Sequence, residues 1–178
     1  MENNKITFNN LIQCLKKLNK YHVFVLGDTI VDTYTRTNLI GGQTKTPTVS
    51  VLYNNEENYV GGAGVVAKHL RAAGAKVTFS TVLGNDNLKK FVIDDLKKNK
   101  INIQVEIDSS RPTTNKNAII ADNYRLLKID TLDNRVISDL ISNKILKKIK
   151  TSKADAFAFC DFRHGIFNSI NIEKFSGS

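Results

Sequence analysis

Apolar residues recur along this chain at two spacings. Phe8, Leu11, Ile12, Leu15 and Leu18 fall at helical intervals and predict an amphipathic helix over 8–19. His22 to Leu26 is a short apolar run halted by Gly27-Asp28, which reads as a buried strand ending in a turn. Residues 33–54 are Thr-rich, alternate at Val49, Val51 and Tyr53, and contain Gly41-Gly42 and Pro47; they read as two exposed strands. Gly61-Gly62-Ala63-Gly64 opens a helix from 63 to 73 that Gly74 closes, and Lys76 to Leu83 is a strand closed by Gly84.

Further along, Asn87 is placed to cap a helix reaching Asn99, with Leu88, Phe91, Val92 and Leu96 on one face. A strand is expected at 102–107 and a hairpin from 113–122 and 125–130, bending near Asp122-Asn123. A Lys-studded helix over 135–149, a strand at 155–160 and a helix from Asn168 complete the reading. This alternation indicates one α/β domain with a mostly parallel sheet flanked by helices, from which the two hairpin regions stand away. Because the 155–160 strand is followed only by the threshold of another unit, the chain is expected to be incomplete at its C-terminus.

Composition narrows the function classes. Net charge is +9, from 26 Lys+Arg against 17 Asp+Glu, but 20 of the cations are Lys, only 6 are Arg, and they are scattered. A nucleic-acid site would gather Arg and aromatics, so no nucleic-acid partner is expected. No segment nears the ~20 apolar residues of a membrane span, and MENNKITFNN has no apolar stretch to act as a leader. Cys14 and Cys160 lie far apart without metal-type spacing and read as reduced thiols of a cytoplasmic protein. No metal site is expected.

Four segments offer chemistry. Gly27-Asp28-Thr29-Ile30-Val31-Asp32 delivers two carboxylates to the strand-end crevice where α/β proteins bind ligands, and an ionised carboxylate suits a vicinal diol. The competing reading makes Asp28 a turn cap and Asp32 a solvated side chain. Gly61 and Gly62 at a helix entrance let ligand oxygens approach bare backbone N–H groups; alternatively they serve tight packing. Gly62-x-Gly64-x-x-Ala67 also fits a loose dinucleotide fingerprint, but no buried strand precedes it and no acidic residue ends the strand after it. Arg111-Pro112-Thr113-Thr114-Asn115-Lys116 brings a cation and hydroxyls that either face an anionic substrate or lie solvated on a strand. Cys160-Asp161-Phe162-Arg163-His164-Gly165 follows a buried strand, yet its Cys and His sit too close in one loop for a nucleophile–base pair.

Taken in order, VFVLGDTIVDTY, TKTPTVSVLYNNEENYVGGAG, AAGAKVTFSTVLGNDN, RPTTNKNAIIADNYRLLKID and AFCDFRHG resemble the N-terminal portion of a ribokinase-like (PfkB-type) carbohydrate kinase, nearest in appearance to the heptose-phosphate kinases of ADP-heptose synthesis. The resemblance runs from about residue 21 to 166. It implies a central α/β sheet with a protruding β lid formed by 33–54 and 113–130, and a homodimer through that lid. It implies that Asp28, Asp32, Gly61 and Gly62 bind sugar hydroxyls, that Lys116 approaches a substrate phosphate or hydroxyl, and that Asp161 floors the sugar site. ATP and Mg2+ are implied for the full enzyme, and neither is expected to bind strongly to this chain. The family's catalytic base, an Asp in a late Gly-Ala-Gly-Asp segment, has no counterpart in these residues, so the chain is expected to hold the sugar-binding and lid portion without the ATP half. Where the family usually carries a sugar-binding Asn three residues after the glycine pair, this chain has Val65, and where the heptose kinases commonly carry an Arg two residues after the lysine it has Ala118. Those departures also fit a non-catalytic module kept for sugar binding or dimerisation, and Gly62-x-Gly64 leaves an oxidoreductase fragment as the third reading.

Overall fold

The computed structural model describes residues 7–41 and 48–177; Gly42 and Pro47 of the first hairpin region lie outside them. Two four-stranded sheets organise the chain. The first is parallel, in the order β5 (Asn102–Ile107), β4 (Lys76–Leu83), β1 (His22–Gly27), β8 (Ala156–Cys160). The second is mixed, in the order β3 (Val51–Gly62), β2 (Thr29–Leu39), β6 (Asn115–Ala121), β7 (Tyr124–Thr131). In it β2 pairs antiparallel with β3 and parallel with β6, and β6 and β7 form an antiparallel hairpin.

The uninterrupted apolar run of β1 fits a strand covered on both faces. Val23 and Val25 enter a core with Ala63 and Ala67 of α2 (Ala63–Ala72) and Val92 and Leu96 of α3 (Asn87–Lys98). Phe24 and Leu26 enter a second core with Ile141, Ile145 and Ile149 of α4 (Asp139–Thr151) and Phe175 of α5 (Ser169–Ser176). The α/β fold, with a mostly parallel sheet flanked by helices, is the one read from the sequence. No helix among the described residues is long and apolar enough to cross a membrane.

Several local expectations shift. The N-terminal helix α1 (Phe8–Lys17) forms, capped by Thr7, but buries none of its residues; Phe8, Leu11 and Leu15 are exposed. Asp86, rather than Asn87, caps α3, its side chain accepting from the Lys89 N–H at 3.1 Å. The 135–149 helix starts at Asp139 behind the Ser138 cap, because Ile137 is held before it, its N–H donating to the Gly165 carbonyl at 3.0 Å. The strands of the mixed sheet reach further than 33–54: Asp28 alone separates β1 from β2, and β3 runs into α2 without a loop. Asp122 and Asn123 form the two-residue bend of the β6–β7 hairpin, both at positive φ, as short Asx-rich hairpin turns require.

Candidate functional site

Residues paired across neighbouring strands share a face of a sheet. The register therefore sets Tyr59 of β3, Asp32 of β2, Lys116 of β6 and Asp130 of β7 in one row across the mixed sheet. One step toward α2, Ile30 pairs with Gly61, and a Cβ on Gly61 would run into the Asp32 carboxylate. Bare glycine is what leaves the carboxylate room.

A cavity of about 320 Å³ opens on this face, lined by Asp32, Tyr34, Tyr59, Gly61 and Val65, with Arg36 at its rim. Tyr34 and Tyr59 meet edge to face at 5.7 Å between ring centres, making an aromatic wall, and Arg36 is tied to Glu57 at 3.1 Å. Among the described residues Asp32 and Lys116 make no hydrogen bond or ion pair, so a carboxylate and an ammonium stand side by side with their bonding capacity unspent.

Asp28 is placed differently. It is buried, and its Oδ2 accepts from the Phe162 and His164 N–H groups at 3.0 and 3.2 Å while Oδ1 accepts from Ile166 N–H at 3.3 Å. Both oxygens thus hold the loop after β8, and Asp28 does not line the Asp32 cavity. Burial pushes its carboxyl above the usual range, against the pull of the three N–H groups and of His164. Gly62 belongs to the same junction, at φ 57, with the Asp28 carbonyl accepting from Ala63 N–H at 2.9 Å beside it. The diglycine and both aspartates do converge on one junction, but only Asp32 and Gly61 face the cavity.

Asp161 is exposed and lines a separate cavity of about 360 Å³ with Phe159, Phe167 and Asn168. Arg111 borders a small hollow with Asp28, Thr114 and His164, apart from the Asp32 cavity. Its guanidinium pairs with Asp108 at 2.8 Å and donates to the Arg135 carbonyl at 2.9 Å, tying the β5–β6 connection to the approach of α4. Thr113 is likewise spent, accepting from Gly84 N–H at 3.0 Å and giving its own N–H to Asp86 at 2.7 Å. Burial raises the Cys160 thiol, and His164 Nδ1 is engaged with Asn134 at 2.7 Å, so the pair is no nucleophile and base.

Tyr59 on the cavity wall and Asp130 beside Lys116 are residues that pattern reading did not find, while His164, named with the Cys160–Gly165 segment, borders the hollow at Asp28 instead. Burial lowers the His164 imidazole, opposed by the Asp28, Asp130 and Asp161 carboxylates and reinforced by Lys116, so all four charged groups act on this one ring. Its Nε2 is buried without a hydrogen-bond partner. Asp130 was in principle readable, since a hairpin turning at Asp122-Asn123 brings residues near 130 opposite Lys116.

Comparison with known proteins gives the family and the fold. The profile described as pfkB family carbohydrate kinase matches residues 20–163. The chain is 30% identical over 149 residues to the "Bifunctional protein HldE" of Sulfurimonas denitrificans, covering 81% of this chain and 31% of that protein, and 28% identical to that of Helicobacter hepaticus. It thus spans about a third of the length of these curated relatives. Among solved structures, a putative phosphofructokinase from Staphylococcus aureus superposes with a TM-score of 0.68 at 14% identity, over 88% of this chain and 48% of that one. Phosphofructokinase-2 from Escherichia coli, in complex with substrates and products, gives 0.65 at 11% identity, over 87% and 49%. At such identities these structures speak for the fold.

Proposed function

This chain belongs to the pfkB family of carbohydrate kinases, and from that premise we propose that it forms the sugar-binding face and β lid of an ATP-dependent sugar or sugar-phosphate kinase. The observation that carries the reading is the Asp32 carboxylate over Gly61 in a cavity walled by Tyr34 and Tyr59, with Lys116 paired to Asp32 on the neighbouring strand and neither charge in an ion pair among the described residues. Asp32 would accept from two sugar hydroxyls, Lys116 would meet a phosphate or the attacked hydroxyl, and the rings would cover the sugar's apolar face. Asp28 would serve by anchoring the loop that carries Asp161, holding that carboxylate at the strand-end crevice. ATP with Mg2+ is the phosphoryl donor that the family implies, as a co-substrate. No residue of this chain is assigned to it, nor is the general base, so phosphoryl transfer is proposed for the whole protein and not for these 178 residues alone.

Calorimetric titration with hexose and heptose phosphates tests the site. Asp32→Asn, which keeps shape and one acceptor but removes charge, is expected to weaken binding roughly tenfold or more, as loss of a charge-assisted hydrogen bond does. Equal affinity for wild type and variant would remove Asp32 from the site. Val65, apolar on the cavity wall, favours a second reading, a module that binds sugar or dimerises without catalysis. ATP-dependent product from the whole protein separates the two.

The opposite face of the mixed sheet supports self-association. Register places Leu39, Tyr53, Leu127 and Ile129 there, away from Asp32, and all are exposed. An apolar stripe of this kind on a β lid fits a second copy of the chain. Light scattering on the eluting peak is expected to give twice the chain mass for wild type and the single mass for Leu127→Asp. A wild-type chain that stays monomeric at high concentration would end the dimer reading.

A further inference from the structure

A further cavity, of about 500 Å³, lies at the amino-terminal ends of β1, β4 and β5, the edge of the parallel sheet opposite the strand ends where Asp28 and Asp161 sit. Three cations converge on it from separate elements: Arg71 from the last turn of α2, Lys76 from the first position of β4, and Lys100 from the turn before β5. No carboxylate lines it, and none of the three is in an ion pair among the described residues. The one carboxylate hydrogen-bonded to the start of β1, Asp155, accepts from His22 N–H at 2.7 Å and is not part of the wall. Elsewhere cations of this chain do find acids, as Lys68 does with Asp95 at 2.9 Å and Lys148 with Glu106. The absence of acid here is a property of the place.

We propose that this cavity binds a di- or triphosphate group of a small molecule. Three like charges around one hollow repel one another, and an oxyanion turns that repulsion into attraction. Arg71 has a planar donor fork, committed only to a long 3.5 Å contact with the Ala75 carbonyl, while the lysines supply mobile point charges. Polar groups complete the wall: Asn102 donates to the Thr78 hydroxyl at 3.2 Å and His22 Nε2 meets it at 2.9 Å, which fixes both side chains at the rim. The wall has no Phe, Tyr or Trp, only Val77 as a large apolar residue, and a single imidazole, His22, tied to the Thr78 hydroxyl, so little in it is shaped to grip a nucleobase. Recognition therefore falls on the phosphates. Nothing in this inference depends on the sugar-site reading, because no residue is shared.

The test is calorimetric titration of the 178-residue chain with inorganic triphosphate and, separately, ATP, at near-physiological salt. One equivalent of each is expected to bind with similar affinity. Arg71→Gln combined with Lys100→Gln should weaken both by tenfold or more, the effect of losing charge-assisted contacts. Lys116→Gln and Asp32→Asn, on the other face, should change neither. A thermal melt of the double variant that matches wild type shows that the loss is not unfolding. Multi-equivalent uptake indifferent to the double substitution would mean only general attraction to a cationic protein and would overturn the proposal. Loss of triphosphate binding through Lys116→Gln would move the anion to the lid face and overturn it as well, and so would displacement of triphosphate by an equimolar short single-stranded oligonucleotide.

Discussion

Gly62→Ala is expected to destabilise this protein severely, and Gly61→Ala to leave it folded but unable to hold a sugar phosphate. Gly62 has φ 57 and ψ −136, a conformation that L side chains rarely enter. An added Cβ would come within 2.5 Å of the Asp28 carbonyl oxygen and 3.2 Å of the Ile30 nitrogen. Neither backbone atom can give way, since the Asp28 carbonyl is committed to Ala63 N–H. Strain and overpacking together should cost on the order of 3 kcal/mol or more, a large part of a typical 5–15 kcal/mol. At Gly61 the added carbon meets instead the Asp32 carboxylate, the far end of a side chain that can rotate, with the Ile30 carbonyl oxygen at an ordinary 3.4 Å. Stability should therefore change by no more than about 1 kcal/mol, while the displaced carboxylate no longer faces the cavity. Urea denaturation with calorimetry reads both effects. A Gly62→Ala protein as stable as wild type, or a Gly61→Ala protein with intact sugar-phosphate binding, would refute the respective half.

The second large effect is at Asp28. Asp28→Ala leaves three N–H groups of the 162–166 loop without their acceptor and is expected to destabilise the fold by roughly 3–5 kcal/mol. Asp28→Asn keeps one acceptor and should fold, which makes the pH dependence measurable. Burial raises the Asp28 carboxyl in the folded chain, so between 3.8 and that higher value the folded state binds more protons than the unfolded one. Stability contributed by this group therefore falls as pH rises across that window, and Asp28→Asn should abolish that slope. Asp108 runs the other way. Hydrogen bonds from Ser110 and Arg111, outweighing burial, hold its carboxyl low, and its contribution is lost only as pH falls through that lowered value. Melting curves of wild type and Asp28→Asn from pH 3.5 to 7 decide the matter; parallel profiles would show that Asp28 titrates no differently in the two states.

The centre of the parallel sheet was readable because β1 is an apolar run halted at Gly27, a pattern that burial on both faces imposes, and because Gly74 and Gly84 bracket β4. The mixed sheet was readable only in part. Asn54-Asn55-Glu56-Glu57-Asn58 shows no apolar alternation because β3 is solvated along that stretch, so nothing in its polarity marks it as strand. At the site, Asp32 and the glycines could be picked out by residue type at a strand end. The partners of Asp28 could not, since its three donors are backbone N–H groups more than 130 residues away. Register was the other hidden quantity. Counting back from the turn at Asp122-Asn123 would set Lys116 against Ile129, but the irregularity between Ile119 and Ile120 adds one residue and brings Asp130 there instead. A shift of one exchanges the two faces of a strand.

The single-residue link between β1 and β2, joined to the direct passage of β3 into α2, has a mechanical consequence. With no slack in either connection, a swing of the mixed sheet against the parallel one must twist the backbone at Asp28 and Gly62 themselves. Asp28 is also the clamp on Phe162, His164 and Ile166, so the angle of the mixed sheet and the posture of that distant turn meet at one buried carboxylate. A change in one would reach the other directly, and no separate relay between them is required.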